Sequence, residues 1–268
     1  MSITRPFSSL SAAVAAAALF TPAAQADLLV EFTTAEGYTS GSIGGQEVDD
    51  STSSNVAWSS GSGAPQYAVD TTNDWVQFSN SVGTFSGVST GNFDSALLGF
   101  DPANPGAGFT VSIDVDWIQN TGQDNGGVSD TQQIRFEIRD PGGNPYAGIN
   151  VNGDGTLKSR SGGDSNSTTI ADISGVTGFS TVDMAVDLVN SNVSYSLDGN
   201  PVTGLQDVAF LDSSANGDIG RFDFRQNFGN AGEGFVVRFD NLAVVPEPGS
   251  LGLSAIGGLL LMARRRRK

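Results

Sequence analysis

Neither cysteine nor histidine occurs among the 268 residues, and each absence removes a mechanism. Without cysteine there is no disulfide framework and no thiol nucleophile. Without histidine there is no Ser-His-Asp triad and no His-ligated zinc. Any catalysis would have to use carboxylates, tyrosine, lysine or arginine. Positive charge is scarce too: 13 Lys and Arg stand against 29 Asp and Glu, a net −16. Long apolar runs occur only at the two ends, and no stretch between them has helical periodicity.

Both ends read as targeting segments. Arg5 supplies a positive start, Leu10 to Phe20 is an Ala-rich apolar core, and Ala24-Gln25-Ala26 is an A-x-A cleavage site. Residues 1–26 are therefore expected to be a signal peptide removed by signal peptidase, with Ala24 and Ala26 at the cut. At the other end Pro246, Glu247 and Pro248 precede an apolar stretch from Gly249 to Ala263. The chain then finishes on Arg264, Arg265, Arg266, Arg267 and Lys268. A helix over that stretch would reach about 22 Å, short of the ~30 Å hydrocarbon core, and snorkelling Arg side chains would close part of the gap. The five cations should stay cytoplasmic, leaving the rest of the chain on the outer side of the membrane. The predicted organisation is residues 1–26 signal peptide, 27–244 β-sandwich ectodomain and 245–268 sorting segment.

The motif Pro246-Glu247-Pro248, the Gly/Leu-rich helix and the terminal Arg run together resemble a PEP-CTERM sorting domain. The resemblance implies recognition by an exosortase, with the inner membrane as a staging point before cleavage near the motif. It further implies a Gram-negative host that makes exopolysaccharide, and a mature protein at the cell surface or in the extracellular matrix.

Between the two ends the balance is more extreme: seven cations against 28 acids, a net −21. Such a domain repels nucleic acid and anionic lipid while attracting divalent cations. Its pattern is all-β. Phe109, Val111, Ile113, Val115 and Trp117 alternate with Thr110, Ser112, Asp114 and Asp116. Ile134, Phe136 and Ile138 alternate with Arg135, Glu137 and Arg139. Further strands are expected at Tyr146–Val151 (then a hairpin turn at Asn152–Gly155), Val182–Leu188, Val193–Leu197, Ile219–Phe224 and Phe235–Val244. The last of these changes phase between Phe239 and Leu242, which predicts a β-bulge near Asp240-Asn241. Leu28, Val30 and Phe32 predict an N-terminal strand beside it, and the Gly/Ser-rich stretch 39–66 reads as loop. The segments Phe109–Trp117, Val182–Gly199 and Arg238–Val244 resemble a concanavalin A-like (lectin or laminin-G type) jelly roll, implying a two-sheet antiparallel sandwich.

Several side chains are candidates for chemistry. Asp114 and Asp116 lie two apart on one strand face, about 7 Å from each other, within the range of a glycosidase carboxylate pair. The jelly-roll glucanases of the resembling family carry a Glu-x-Asp-x-Glu strand, which this chain lacks, and charge pairing with Arg135 or Arg139 across strands is the plainer expectation. Asn150, Asn152 and Asp154 have calcium-loop spacing, but Ser161 stands where the twelfth-position Glu belongs, so an EF-hand is rejected for a turn. A structural Ca²⁺ between Glu31 or Glu36 and Asp240 would suit a Cys-free exported domain. Trp58 and Trp75 sit in polar sequence, as glycan-stacking rings or as core anchors, while Trp117 belongs to the core phase.

These readings converge on a non-catalytic, exported jelly roll that binds polysaccharide or builds the exopolysaccharide layer. Its expected contacts are Asp114, Asp116, Arg135 and Glu137 on one concave sheet, with Trp58 and Trp75 adding stacking. The rivals are a glycan-cleaving hydrolase or lyase and a purely structural acidic surface protein.

Overall fold

A computed structural model describes residues 28–46, 57–60, 67–79, 86–90, 108–119, 133–162, 168–217, 219–227 and 235–246. The expected signal peptide (residues 1–26), Glu247 and Pro248, the apolar stretch and the basic tail all lie outside the described residues.

The described chain is almost entirely strand. In order, the strands are β1 (Leu28–Val30), β2 (Gly41–Ser42), β3 (Trp58–Ser60), β4 (Tyr67–Asp70), β5 (Trp75–Ser79) and β6 (Ser86–Thr90). There follow β7 (Gly108–Gln119), β8 (Gln133–Arg139), β9 (Pro145–Asn152), β10 (Thr156–Arg160), β11 (Thr169–Asp172) and β12 (Ser180–Asp187). The series closes with β13 (Asn192–Leu197), β14 (Asn200–Pro201), β15 (Val208–Ala209), β16 (Arg221–Asn227) and β17 (Phe235–Pro246). One 3-10 turn, Thr34–Glu36, is the sole helical element among the described residues; Thr33 caps it and Gly37 ends it.

These strands form two antiparallel sheets packed as a sandwich. The first runs β14-β13-β12-β7-β17-β5-β4-β2, with β1 also on β17 and β15 on β13. The second runs β11-β10-β9-β8-β16-β6-β3. Period-two alternation decides which side chains meet in the middle. From the first sheet come Phe109, Val111, Ile113 and Val115, with Val182, Met184, Val186, Phe78, Val237 and Phe239, all buried. From the second come Ile134, Phe136, Ile138, Ile149, Val151, Leu157, Phe222 and Phe224. Phe224 is the hub between the layers: its ring centroid lies 4.9 Å from Phe78 and 5.0 Å from Phe239 on the first sheet. On its own sheet it lies 5.1 Å from Phe136. Tilted contacts of this kind contribute beyond the area they bury.

The expected phase change in the last strand is present. The β17–β7 register shifts between Asp240 and Ala243, and Asn241 has a φ of 48°. The bulge turns Leu242 and Val244 back into the core, where both are fully buried. The N-terminal strand also sits as expected, with Leu28 opposite Val244 and Val30 opposite Leu242. Within the Gly/Ser-rich stretch expected to be loop, β2 and β3 pair with β4 and β6.

One packing contact crosses the sandwich with polar atoms. The Tyr195 hydroxyl of β13 reaches the backbone carbonyls of Arg160 at 2.8 Å and Gly148 at 3.1 Å on the second sheet. Complete burial pushes this phenol well above its ordinary pKa, so it stays a donor. Gly148 leaves no room for a larger residue. A Cβ there would lie 2.2 Å from the Phe136 carbonyl oxygen and 3.1 Å from the Glu137 Cα.

The substitution Gly148→Ala is expected to destabilise the sandwich by about 1–3 kcal/mol in urea unfolding. Gly175→Ala, where a Cβ meets nothing within 4 Å, is expected to change stability by less than about 0.5 kcal/mol.

Candidate functional site

The two outward faces of the sandwich carry opposite charge. On the first sheet the outward positions of β7 and β12 are Thr110, Ser112, Asp114, Asp116, Thr181, Asp183 and Asp187, and β17 adds Arg238 and Asp240. On the second, β8 contributes Gln133, Arg135, Glu137 and Arg139, and β9 adds Asn150 and Asn152. Lys158 and Arg160 come from β10, and Arg221, Asp223 and Arg225 from β16. Six of the seven cations between residues 27 and 244 therefore share one face, with Glu137 and Asp223 at its centre and Asp172 of β11 at its edge.

The second-sheet face is assembled around the two central carboxylates. Glu137 takes Arg160 Nη2 at 2.8 Å on one oxygen and Arg139 Nη2 on the other. Asp223, directly opposite Glu137 in register, binds Arg139 Nε at 2.6 Å, Arg225 Nη2 at 3.0 Å and Arg221 Nε at 3.4 Å. Gly148 stands between Glu137 and Arg160, and its missing side chain lets the guanidinium reach over. Burial alone pushes the Glu137 carboxyl up, but Arg160 and Arg139 outweigh it and hold the group below its ordinary value. Arg160 also donates to Asn150 Oδ1 at 3.4 Å.

Arg135 is placed differently. Its Nε and Nη2 donate to Gln133 Oε1 at 3.2 and 3.0 Å, and among the described residues no carboxylate lies within ion-pair distance of it. Desolvation and the neighbouring charges of Arg160 and Arg225 push its pKa down, with Glu137 opposing them. Beside Gln133 in register is Asn152, which is fully buried with neither amide atom hydrogen-bonded. An amide sealed in that way costs about 1–3 kcal/mol.

The first-sheet candidates are tied elsewhere. Asp114 accepts from Thr181 Oγ1 at 2.6 Å and Asn241 Nδ2 at 2.8 Å. Asp116 faces Arg238 Nη1 at 3.5 Å. The expected cross-strand pairing of Asp114 and Asp116 with Arg135 or Arg139 does not form, because β7 and β8 belong to different sheets. For the same reason Asp114 and Asp116 share no surface with Arg135 and Glu137. Trp58 is buried to 1% exposure, its Nε1 bonded to the Tyr38 hydroxyl at 2.9 Å, so its ring is a core anchor with no face for a sugar. Trp75 is half-buried, with the Arg238 guanidinium 4.2 Å over its ring and Phe179 at 6.2 Å.

The calcium candidates Glu36 and Asp240 are engaged with backbone groups. The Glu36 carboxylate accepts from the Glu31 backbone N–H at 2.8 Å, and Asp240 accepts from the Asn241 backbone N–H at 2.7 Å. Among the described residues no three carboxylates are arranged to hold a metal ion. What the bulge does create is repulsion: burial, with Asp114, Asp74 and Glu31 nearby, pushes Asp240 up to about 6 against the hydrogen bond from Asn241.

The comparisons with known proteins speak to the two parts of the chain separately. A model described as the PEP-CTERM protein-sorting motif matches residues 244–268. The chain carries a PEP-CTERM sorting motif. That motif implies an exported protein, sorted to the cell surface and processed by exosortase. No curated protein sequence matches this chain. Among solved structures, a sialidase shares 15% identity at a TM-score of 0.49, over 72% of this chain and 17% of its own. An alginate lyase from Corynebacterium sp. shares 11% identity at 0.44, over 68% of this chain and 82% of its own. The botulinum neurotoxin type G receptor binding domain shares 13% at 0.46, over 79% and 48%. The chain thus spans less than a fifth of the sialidase, and none of these three is named as concanavalin A-like.

Sequence reading reached Arg135, Glu137 and Arg139 but missed Arg160, Arg221, Asp223 and Arg225 as members of one face. The signal was available in Arg221-Phe-Asp-Phe-Arg225, which alternates charge and aromatic as Gln133–Arg139 alternates polar and apolar.

Glu137→Gln is expected to cost on the order of 3 kcal/mol at pH 7, because it leaves Arg139 and Arg160 buried against a neutral group. The folded pKa of Glu137 lies below its unfolded value near 4.5, so its contribution is complete above that pH and fades as pH falls through the folded value. Urea midpoints of wild type and variant should therefore converge in acid. Asp240 has the opposite sign: its folded pKa is raised, so its charge opposes folding at pH 7 and the penalty vanishes below about pH 4. Asp240→Asn, which keeps the acceptor for Asn241, is expected to raise Tm at pH 7 and leave it unchanged at pH 4.

Proposed function

We propose that this exported protein is a non-catalytic polysaccharide-binding module, and that it binds through the outward face of the seven-stranded sheet. The observation that carries the reading is the set of planar polar side chains held there in fixed positions. Gln133, Arg135, Glu137, Asn150, Arg160 and Asp223 are all at least half-buried, and most are cross-bonded to one another. Sugar hydroxyls are recognised by bidentate donors and acceptors whose rotamers are already locked, because little entropy is then lost on binding.

Binding is favoured over cleavage by the state of the two carboxylates. A glycosidase needs one carboxyl that holds a proton near neutral pH. Glu137 is held ionised by two guanidiniums, and Asp223 is engaged by three. Asp114 and Asp116, the pair considered from sequence, lie on the opposite face with partners of their own.

In this reading the sandwich is a jelly roll of the concanavalin A-like kind. The host is a Gram-negative exopolysaccharide producer, and the ligand is a component of its surface layer or matrix. Exosortase and signal peptidase are the processing partners.

The test is affinity electrophoresis of the full-length chain in mild detergent, through gels cast with the host's exopolysaccharide and with a panel of purified glycans. Retardation with unchanged polymer size is the expected result. New reducing ends or unsaturated products would replace the reading with an enzyme. Free migration through every gel would leave a structural surface protein.

A further inference from the structure

Accepting that reading, we infer that the polymer bound is a polyanion of the uronate kind, its carboxylates received by Lys158, Arg135 and Arg225. The first support is segregation of charge. The domain between the targeting segments is net −21, yet this face sets six cations against three carboxylates, one of them (Asp172) at the sheet edge, while the opposite face is acidic. An ectodomain selected only for solubility has no reason to gather nearly all of its cations on one sheet.

The second support is where charge is left over. Glu137 and Asp223 set two carboxylates against Arg139, Arg160, Arg221 and Arg225, and the cations they leave unengaged, Lys158 and Arg135, lie in the adjoining row with Arg225 at its end. There the register places Lys158 beside Asn150, Asn150 beside Arg135 and Arg135 beside Arg225. No acidic residue interrupts that row. It crosses four strands and so spans three interstrand spacings, about 14 Å. Cations repeated in a line across a sheet match a chain with carboxylates repeated along its length. Arg135, at the middle, has its guanidinium oriented by Gln133, and no carboxylate among the described residues pairs with it.

The third support is the choice among polymers. A neutral sugar leaves the Arg135 charge without a counter-charge, and a uronate supplies one. Nucleic acid is the other repeating polyanion, and it fits less well. The aromatic rings on which bases stack are missing from the described side chains of this face, since Trp58 is in the core and Trp75 is on the other sheet.

The experiment compares gels cast with polygalacturonate, with a neutral glucan and with single-stranded DNA, using the full-length chain in detergent. Polygalacturonate alone should retard the protein, and added salt should abolish the retardation. Arg135→Gln is the informative variant, because no buried carboxylate depends on Arg135 and the fold should survive by circular dichroism and Tm. It should weaken retardation about tenfold, as should Lys158→Gln, whereas Arg238→Gln on the other sheet should stay within about twofold of wild type. Equal retardation by the neutral glucan, unaffected by Arg135→Gln, would overturn the polyanion inference and keep the polysaccharide-binding reading. Retardation by DNA as strong as by polygalacturonate would overturn it in favour of general polyanion attraction. Free migration in all three gels, with binding to no other glycan, would remove both.

Discussion

Two buried carboxylates make the basic face possible. Guanidiniums set on neighbouring strands repel one another, and repulsion between buried charges is costly in a poorly solvated setting. Glu137 and Asp223 stand directly opposite on β8 and β16, and between them they bind Arg139, Arg160, Arg221 and Arg225. The order of the second sheet is therefore an electrostatic requirement as much as a packing one. Only with β10, β9, β8 and β16 side by side can two carboxylates reach four guanidiniums.

The same constraint explains why Gly148 lies where it does. The link from Arg160 to Glu137 passes over β9, and any side chain at that position would obstruct both the guanidinium and the Phe136 carbonyl. From beneath, Tyr195 of the other sheet fixes the Gly148 and Arg160 carbonyls. A contact through the core and an ion pair on the surface thus hold the same short piece of backbone from its two sides.

The sequence made the strands legible and left their partners hidden. Period-two alternation in Phe109–Trp117 and Ile134–Ile138 needs only local information, and the slipped phase after Phe239 was enough to locate the bulge. Which strands share a sheet depends on contacts between residues far apart in the chain, and alternation says nothing of these. That is why Asp114 and Asp116 were grouped with Arg135 and Glu137, although the sandwich sets them on opposite surfaces. Polar sequence around Trp58 and Trp75 left stacking ring and core anchor both open: Trp58 is sealed beneath Phe32, Tyr38 and Phe224, and Arg238 covers the ring of Trp75.

The position of β17 bears on how the domain carries mechanical load. The strand ends at Pro246, inside the residues matched by the sorting motif, and it is hydrogen-bonded to β7 on one side and to β5 and β1 on the other. A pull exerted from beyond Pro246 therefore runs along an interior strand, and its bonds to both neighbours must slide in shear together. A terminal strand at a sheet edge could be peeled away one bond at a time. Here tension is shared over the length of β17 and handed through the Phe78, Phe224 and Phe239 contacts to the opposite sheet. A protein hauled by its tail would then transmit force to whatever its basic face grips before its fold gives way.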